Sequence, residues 1–286
     1  MNDLHEIRTL LAKPDPSPDV VARRRQELRR SMRRRTPRLG LRWVLLPAAA
    51  AAVAAALVIV PGYVGNSPSD SGAREVLLVA ATTAERAPEG SGTYWHVTIT
   101  RKGAPQQEYW YKKNGQFWLK GKGLKGEGKL TQFPVEPQPF AIGPLRMTFE
   151  MLRHLPTDEG GLYEKLKSAV ADGDLRTSAG QLTDEQQEGA TMATLLSLIS
   201  EAPVSPEVRA AAYRVLAARA DVQDLGEADG GRRLQVPVLN GQETLIIDPE
   251  TGQLRNTSIW APLTGGIAHS AAPATIATEW TDHLPD

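Results

Sequence analysis

Apolar and polar positions change rhythm several times along this 286-residue chain. From Trp43 to Val64 the sequence "WVLLPAAAAAVAAALVIVPGYV" contains no charged residue. A helix of that length, at ~1.5 Å per residue, reaches ~33 Å, enough to cross the hydrocarbon core of a bilayer. Its nine Val, Leu and Ile residues favour insertion. Pro47 and Pro61 sit near its ends, where a missing hydrogen bond does least harm, and Trp43 and Tyr63 sit where interfacial aromatics collect. The pattern predicts a transmembrane helix over 43–64. A buried Ala-rich core helix is the soluble alternative. A cleaved signal peptide would need a leading basic region of 42 residues, which is unusually long.

Beyond the span, "GNSPSDSG" at 65–72 reads as a flexible tether. Residues 73–286 then alternate between two periodicities. "REVLLVAATTAERAP" predicts a helix stopped by Pro88. "TYWHVTIT" alternates, placing Trp95, Val97 and Ile99 on one face and Tyr94, His96 and Thr98 on the other. "QEYWYKKNGQFWLK" predicts two strands around Asn114-Gly115, and "KLTQF" one more strand before the prolines at 134, 137, 139 and 144.

Helical spacing follows in Leu145, Phe149 and Leu152, and again in Leu162, Leu166 and Val170. Thr183 and Gln186 form a capping box ahead of the stripe Met192, Leu195, Leu196 and Ile199. Ser205-Pro206 opens a further helix with Val208, Ala211, Ala212, Val215 and Leu216 facing inward. Strands return in "RRLQVPVL", with Leu234, Val236 and Val238 on one face and Pro237 marking an edge or bulge. A turn at Asn240-Gly241 leads into "ETLIID", then "QLRNTSIWA" and "TIATEW". The order helix, strands, helices, strands predicts an α+β domain: a twisted antiparallel sheet with helices packed on one side.

Charge adds topology to this picture. Residues 1–42 hold 12 Lys and Arg against 5 Asp and Glu, whereas residues 65–286 hold 21 against 28. A basic arm therefore precedes an uncharged span and an acidic body. Arg23, Arg24, Arg25, Arg29, Arg30, Arg33, Arg34, Arg35, Arg38 and Arg42 carry most of that positive charge. Positive flanks stay on the cytoplasmic side, so the arm is expected inside and the domain at 73–286 outside. Ser17-Pro18-Asp19 is a helix start, and the arginines after it suit anionic lipid headgroups. Nucleic acid is not the expected partner, because the arm has too few apolar positions for a core and no helix-turn-helix pattern.

Candidate chemistry is sparse. There is no cysteine, which excludes disulfides, thiol catalysis and thiolate metal sites. "GKGLKG" from Gly121 matches the G-x-G-x-x-G dinucleotide-binding pattern but precedes no helix, and it reads as a Lys/Gly loop between strands. "DGDLRTSAGQLTDE" from Asp172 lacks the ligand and glycine a calcium loop needs at its fifth and sixth positions, Arg176 and Thr177. The histidines at 5, 96, 154, 269 and 283 have no metal-ligand spacing, and His154 fits a helix C-terminus. Asn256 begins a formal glycosylation sequon. Neither a nucleophile elbow nor a metalloprotease motif is present, so no catalytic, cofactor-binding or metal residue is assigned. Aromatic residues crowd the first strands. Their plain reading is cross-strand packing. The sharper one is an apolar groove in which Tyr109, Trp110, Tyr111 and Trp118 hold a lipid-like ligand.

Several segments taken in order resemble a known family: the Arg-rich arm, the Ala-rich span, "SPEVRAAAYRVLA" (205–217), "GRRLQVPV" (231–238) and "DPETGQL" (248–254). They are similar to an actinobacterial family of uncharacterised single-pass membrane proteins, often encoded beside extracytoplasmic-function sigma factors. The chain departs from that pattern at "RADV" (219–222), where a Pro-Gly is usual. The resemblance implies an extracytoplasmic domain tied to transcriptional control, with a protein partner in a sigma-factor system. A zinc-type anti-sigma domain is not expected, since His5 is the sole His or Cys of residues 1–42. The reading is a non-enzymatic membrane protein with a sensing or partner-binding domain outside. The alternative is a membrane-tethered carrier of a lipophilic molecule.

Overall fold

The computed structural model describes residues 68–133, 136–177, 180–238 and 241–285, and in these the chain is α+β, with antiparallel sheets packed against helices. The ten arginines of the arm and the span at 43–64 lie outside the described residues. Among the described residues no helix is long and apolar enough to cross a membrane.

Helix α1 (Pro68–Arg86) begins inside the stretch expected to be a tether. Proline suits a first helical turn, where its missing N–H costs nothing. Ala73, Leu77, Ala80, Ala81 and Ala84 line its buried face. These small side chains let it close on another alanine-rich helix far along the chain, α5 (Pro206–Ala217).

Four strands follow: β1 (Tyr94–Arg101), β2 (Gln107–Lys112), β3 (Phe117–Lys120) and β4 (Thr131–Phe133). The alternation in β1 is as expected, with Trp95, Val97 and Ile99 all buried. The β2–β3 turn runs from Lys113 to Gln116, closed by Gly115 N–H donating to Lys112 O at 2.8 Å. Gly115 has φ +84°, and a Cβ there would lie 1.6 Å from Gln138 O, so glycine is required twice over.

Next come a short hairpin, β5 (Phe140–Ile142) and β6 (Leu145–Met147), and a five-residue helix α2 (Phe149–Arg153). Leu145 was expected to share a helix with Phe149 and Leu152, but it belongs to β6. Gly143-Pro144 forms the turn, and the helix starts only where Thr148 Oγ1 accepts from Met151 N at 3.2 Å. His154 caps its C-terminus as expected.

Helix α3 (Glu159–Asp172) buries Leu162, Leu166 and Val170, and a two-stranded ribbon, β7 (Arg176–Thr177) with β8 (Gly180–Gln181), leads to α4 (Asp184–Ser200). The capping box of Thr183 and Gln186 is formed. Instead of presenting one apolar stripe, α4 is buried all round from Gly189 to Ser200. It runs through the centre, against α3 and α5 and against strands of both sheets. Its hydroxyls are silenced internally: Thr194 Oγ1 donates to Ala190 O at 2.9 Å and Ser200 Oγ to Leu196 O at 2.6 Å. After α5, Arg219 pairs with Asp221 and Glu188.

The remaining strands are β9 (Gln223–Ala228), β10 (Gly231–Val238), β11 (Gly241–Asp248), β12 (Gln253–Leu254), β13 (Thr257–Trp260) and β14 (Ala268–Thr281). Two sheets result where one was expected. Six strands run in the order β13-β14-β1-β2-β3-β4 and four in the order β12-β11-β10-β9. The chain steps from one sheet to the other at Asn256, whose φ of +47° breaks the strand expected over "QLRNTSIWA". Leu234, Val236 and Val238 share the buried face of β10. Pairing with β9 stops at Gln235, so Pro237 lies where β10 has no neighbour on that edge. Gly241 pairs with Val238 as the first residue of its strand, one position past the turn expected at Asn240-Gly241; Asn240 lies outside the described residues.

Candidate ligand-binding cleft

Strand alternation separates the four aromatics expected to form a groove. Tyr109 and Tyr111 face the helices, and Tyr111 is buried against Phe117 and Phe140, with ring centroids 5.0 and 6.1 Å away. Trp110 and Trp118 are cross-strand partners on the opposite face. Trp110 is 3% exposed even there, because His96 stacks on it at 4.6 Å with the rings 9° apart. Trp118 meets the edge of Tyr94 at 5.7 Å, and the Lys112 ammonium lies over both rings. No single face holds all four; of the helix-facing pair Tyr111 belongs to the core and Tyr109 is half-buried against it.

A different place is open. Where β1 begins and β14 ends, a cleft of about 660 Å³ runs between the 87–92 segment, the 203–206 segment and α2. That volume is in the range of small-molecule sites. Its wall is aromatic: Trp280 meets Trp95 at 5.2 Å and Phe149 at 5.6 Å, both edge-on. The Lys113 ammonium lies 5.3 Å from the Trp280 ring and 5.5 Å from Phe149. Thr93 ties the two strand ends together, its N–H and hydroxyl donating to Asp282 Oδ1 at 2.9 and 2.7 Å. Those two bonds hold the Asp282 carboxyl below its usual range.

Two further cations line the cleft. Arg209 is half-buried and donates to Ala202 O at 2.9 Å and Ile199 O at 3.4 Å, closing the C-terminal end of α4. Its burial lowers its pKa, though a guanidinium stays charged at any ordinary pH. Both of these partners are carbonyls, and no carboxylate pairs with it or with exposed Arg153 among the described residues. Of the acids at the rim, Glu89 is exposed, and Glu279 is drawn to the outer sheet face by His96 at 3.3 Å.

Beneath the cleft floor lies Glu201, 1% exposed, immediately after α4. Its main-chain carbonyl accepts from the Trp95 indole at 2.6 Å. Its Oε2 accepts from Leu263 N at 3.1 Å, while the Trp260 indole lies near enough to favour the charged carboxyl but outside hydrogen-bond geometry, leaving Oε1 unpaired. Burial pushes this carboxyl up to about 8, against the opposing pull of Leu263 N–H and Trp260. It is therefore a neutral acid at pH 7. Burial likewise raises Tyr111 and Tyr109, with Glu201 adding to both.

Sequence reasoning passed over Phe149, Arg153, Glu201, Arg209 and Trp280 as site residues. For Glu201 a signal existed: "TMATLLSLIS" (191–200) is nearly free of polar side chains larger than a hydroxyl, and an acid that closes such a helix has little chance of reaching water. The cleft residues come from segments more than 180 positions apart and carry no such signal. Their arrangement offers stacking and charge recognition. Among the described residues no group of three His, Asp or Glu could hold a metal. Comparison of the chain with protein-family models, curated proteins and solved structures finds no match.

Proposed function

We propose that this chain is a single-pass cell-membrane protein, arm inside and domain outside, whose outer domain binds a ligand or partner and carries out no chemistry. The observation that carries the binding role is the cleft, where an aromatic wall faces guanidinium groups that no carboxylate neutralises. Such a surface is poised for a guest, because unpaired charge beside apolar rings gains most when a complementary group arrives. The anchoring rests on the basic arm and uncharged span, and the contact of the ten arginines with anionic headgroups follows from it. The link to a sigma-factor partner rests on the family resemblance. For the lipophilic-carrier alternative the aromatic strands offer a smaller cavity of about 320 Å³ beside Tyr111, Phe117, Phe133 and Phe140.

A cleft-plugging variant tests this reading. Ser91 is an exposed residue of the cleft wall, so Ser91→Trp fills the site without entering the core. In the native host, deletion of the gene and Ser91→Trp should change the same set of transcripts, with the variant present in membranes at normal abundance. A deletion that alters transcription while the plugged variant behaves as wild type would remove the cleft from the function.

A further inference from the structure

We infer that the cleft takes a small organic anion carrying a flat apolar group, an inference that rests on reading the cleft as the binding site. Two features of the wall set the chemistry. The rings of Trp280 and Phe149 pack edge-on against each other at 5.6 Å and together present an apolar wall on which a flat group can lie. Lys113 lies over both rings, so a plane entering there meets a cation at its edge.

The charges decide the sign of the ligand. Lys113, Arg153 and Arg209 line the cleft against Glu89 and Glu279; Glu279 is held on the other side of the sheet by His96, and Asp282, within electrostatic reach of Lys113, is held by Thr93, which leaves the two guanidinium groups without a carboxylate. Arg209 cannot move off to find a counter-ion, because Ala202 O and Ile199 O fix it. Two of its N–H groups are spent on those carbonyls, and a carboxylate or sulfonate entering the cleft would supply the anion that the protein does not. Arg153, exposed on the neighbouring wall, adds a second, movable guanidinium. A cationic guest would meet three like charges, and a neutral one would forgo the pairing. The buried acid beneath does not oppose this, being neutral at pH 7 and turned toward Leu263.

The test uses the full chain in nonionic micelles, with empty micelles as the blank, and three probes sharing one ring system: 2-naphthoate, 2-naphthalenemethanol and 2-naphthylmethylammonium. Isothermal titration at pH 7 should rank them anion, neutral, cation. Arg153→Glu, at an exposed position with no ion pair, should weaken 2-naphthoate about tenfold or more while leaving the alcohol within about twofold. Trp280→Leu should weaken both, with a thermal melt confirming the fold. Equal binding of all three probes, or an unchanged 2-naphthoate affinity in Arg153→Glu, overturns the anion inference and leaves the cleft as a binding site. Failure of every probe to saturate folded wild-type protein overturns the cleft reading itself.

Discussion

Replacing Glu201 with glutamine should stabilise the domain, and by an amount that grows with pH. In the unfolded chain this carboxyl titrates at its ordinary 4.5, and in the folded domain burial moves it to about 8. Between those values the native state holds a proton that the unfolded state has lost. The unfolded state binds fewer protons, so stability falls as pH rises, by ~1.4 kcal/mol per pH unit. The contribution is fully present below pH 4.5 and is lost progressively as pH climbs through 8. At pH 7 the loss amounts to about 3 kcal/mol, and it levels off near 5 kcal/mol above the folded-state value. Glutamine keeps the shape of the protonated acid and an oxygen for Leu263 N–H, and it never ionises. Wild type and Glu201→Gln should therefore unfold together near pH 4.5 and separate by about 3 kcal/mol at pH 7. Urea unfolding of the full chain in micelles, followed by tryptophan fluorescence, reads the difference directly, since Trp260 lies beside the carboxyl and Trp95 bonds the Glu201 main-chain carbonyl. Parallel midpoints for the two proteins from pH 4.5 to 8 would refute the reasoning, as would a glutamine variant that is the weaker protein at pH 8.

Gly115→Val should destabilise the domain by roughly 2 kcal/mol or more in the same assay, through both its left-handed φ and the collision of a Cβ with Gln138 O; a wild-type midpoint would mean the β2–β3 turn is formed differently. Trp95→Ala removes a buried ring and the bond to Glu201 O and should cost about 3–5 kcal/mol, whereas Trp110→Ala removes a ring stacked on His96 outside the helix-packed core, with no hydrogen bond lost, and should cost less; equal losses would mean that packing on the outer face stabilises the domain as much as the core face does. Tyr213→Phe deletes the phenol that donates to Gly252 O at 2.7 Å in a fully buried setting, and should lower stability by about 1–2 kcal/mol in chemical unfolding, with no loss pointing to a bond that water replaces. Protease added to intact cells should remove the domain at 73–286 and leave the arm at 1–42 protected; recovery of full-length protein in a detergent-free soluble fraction would remove the membrane anchor.

Local rules carried much of the domain. The capping box at Thr183 and Gln186, the Ser205-Pro206 helix start, the faces of β1 and β10 and the buried line Leu162, Leu166, Val170 all depend on neighbours within a few residues. Hydrogen bonds and side-chain periodicity at that range are written directly into the order of residues. The basic arm and uncharged span are likewise properties of composition, and they set the expected topology without reference to any fold. Tertiary structure decided the rest, because it depends on segments that meet only when the chain closes. Alternation puts Trp110 and Tyr111 on opposite faces, but only the packed helices decide which face becomes core. An apolar stripe announces α4, yet its burial on every side follows from both sheets and two helices converging on it. The step of the chain from the four-stranded to the six-stranded sheet passes through the left-handed residue Asn256, whose side-chain amide is held by Asp229 O at 2.8 Å. The neutral acid at Glu201 and the cleft above it arise because β1, β14, α2 and the 203–206 segment meet at one end of the domain, and desolvation there acts on side chains that are ordinary anywhere else.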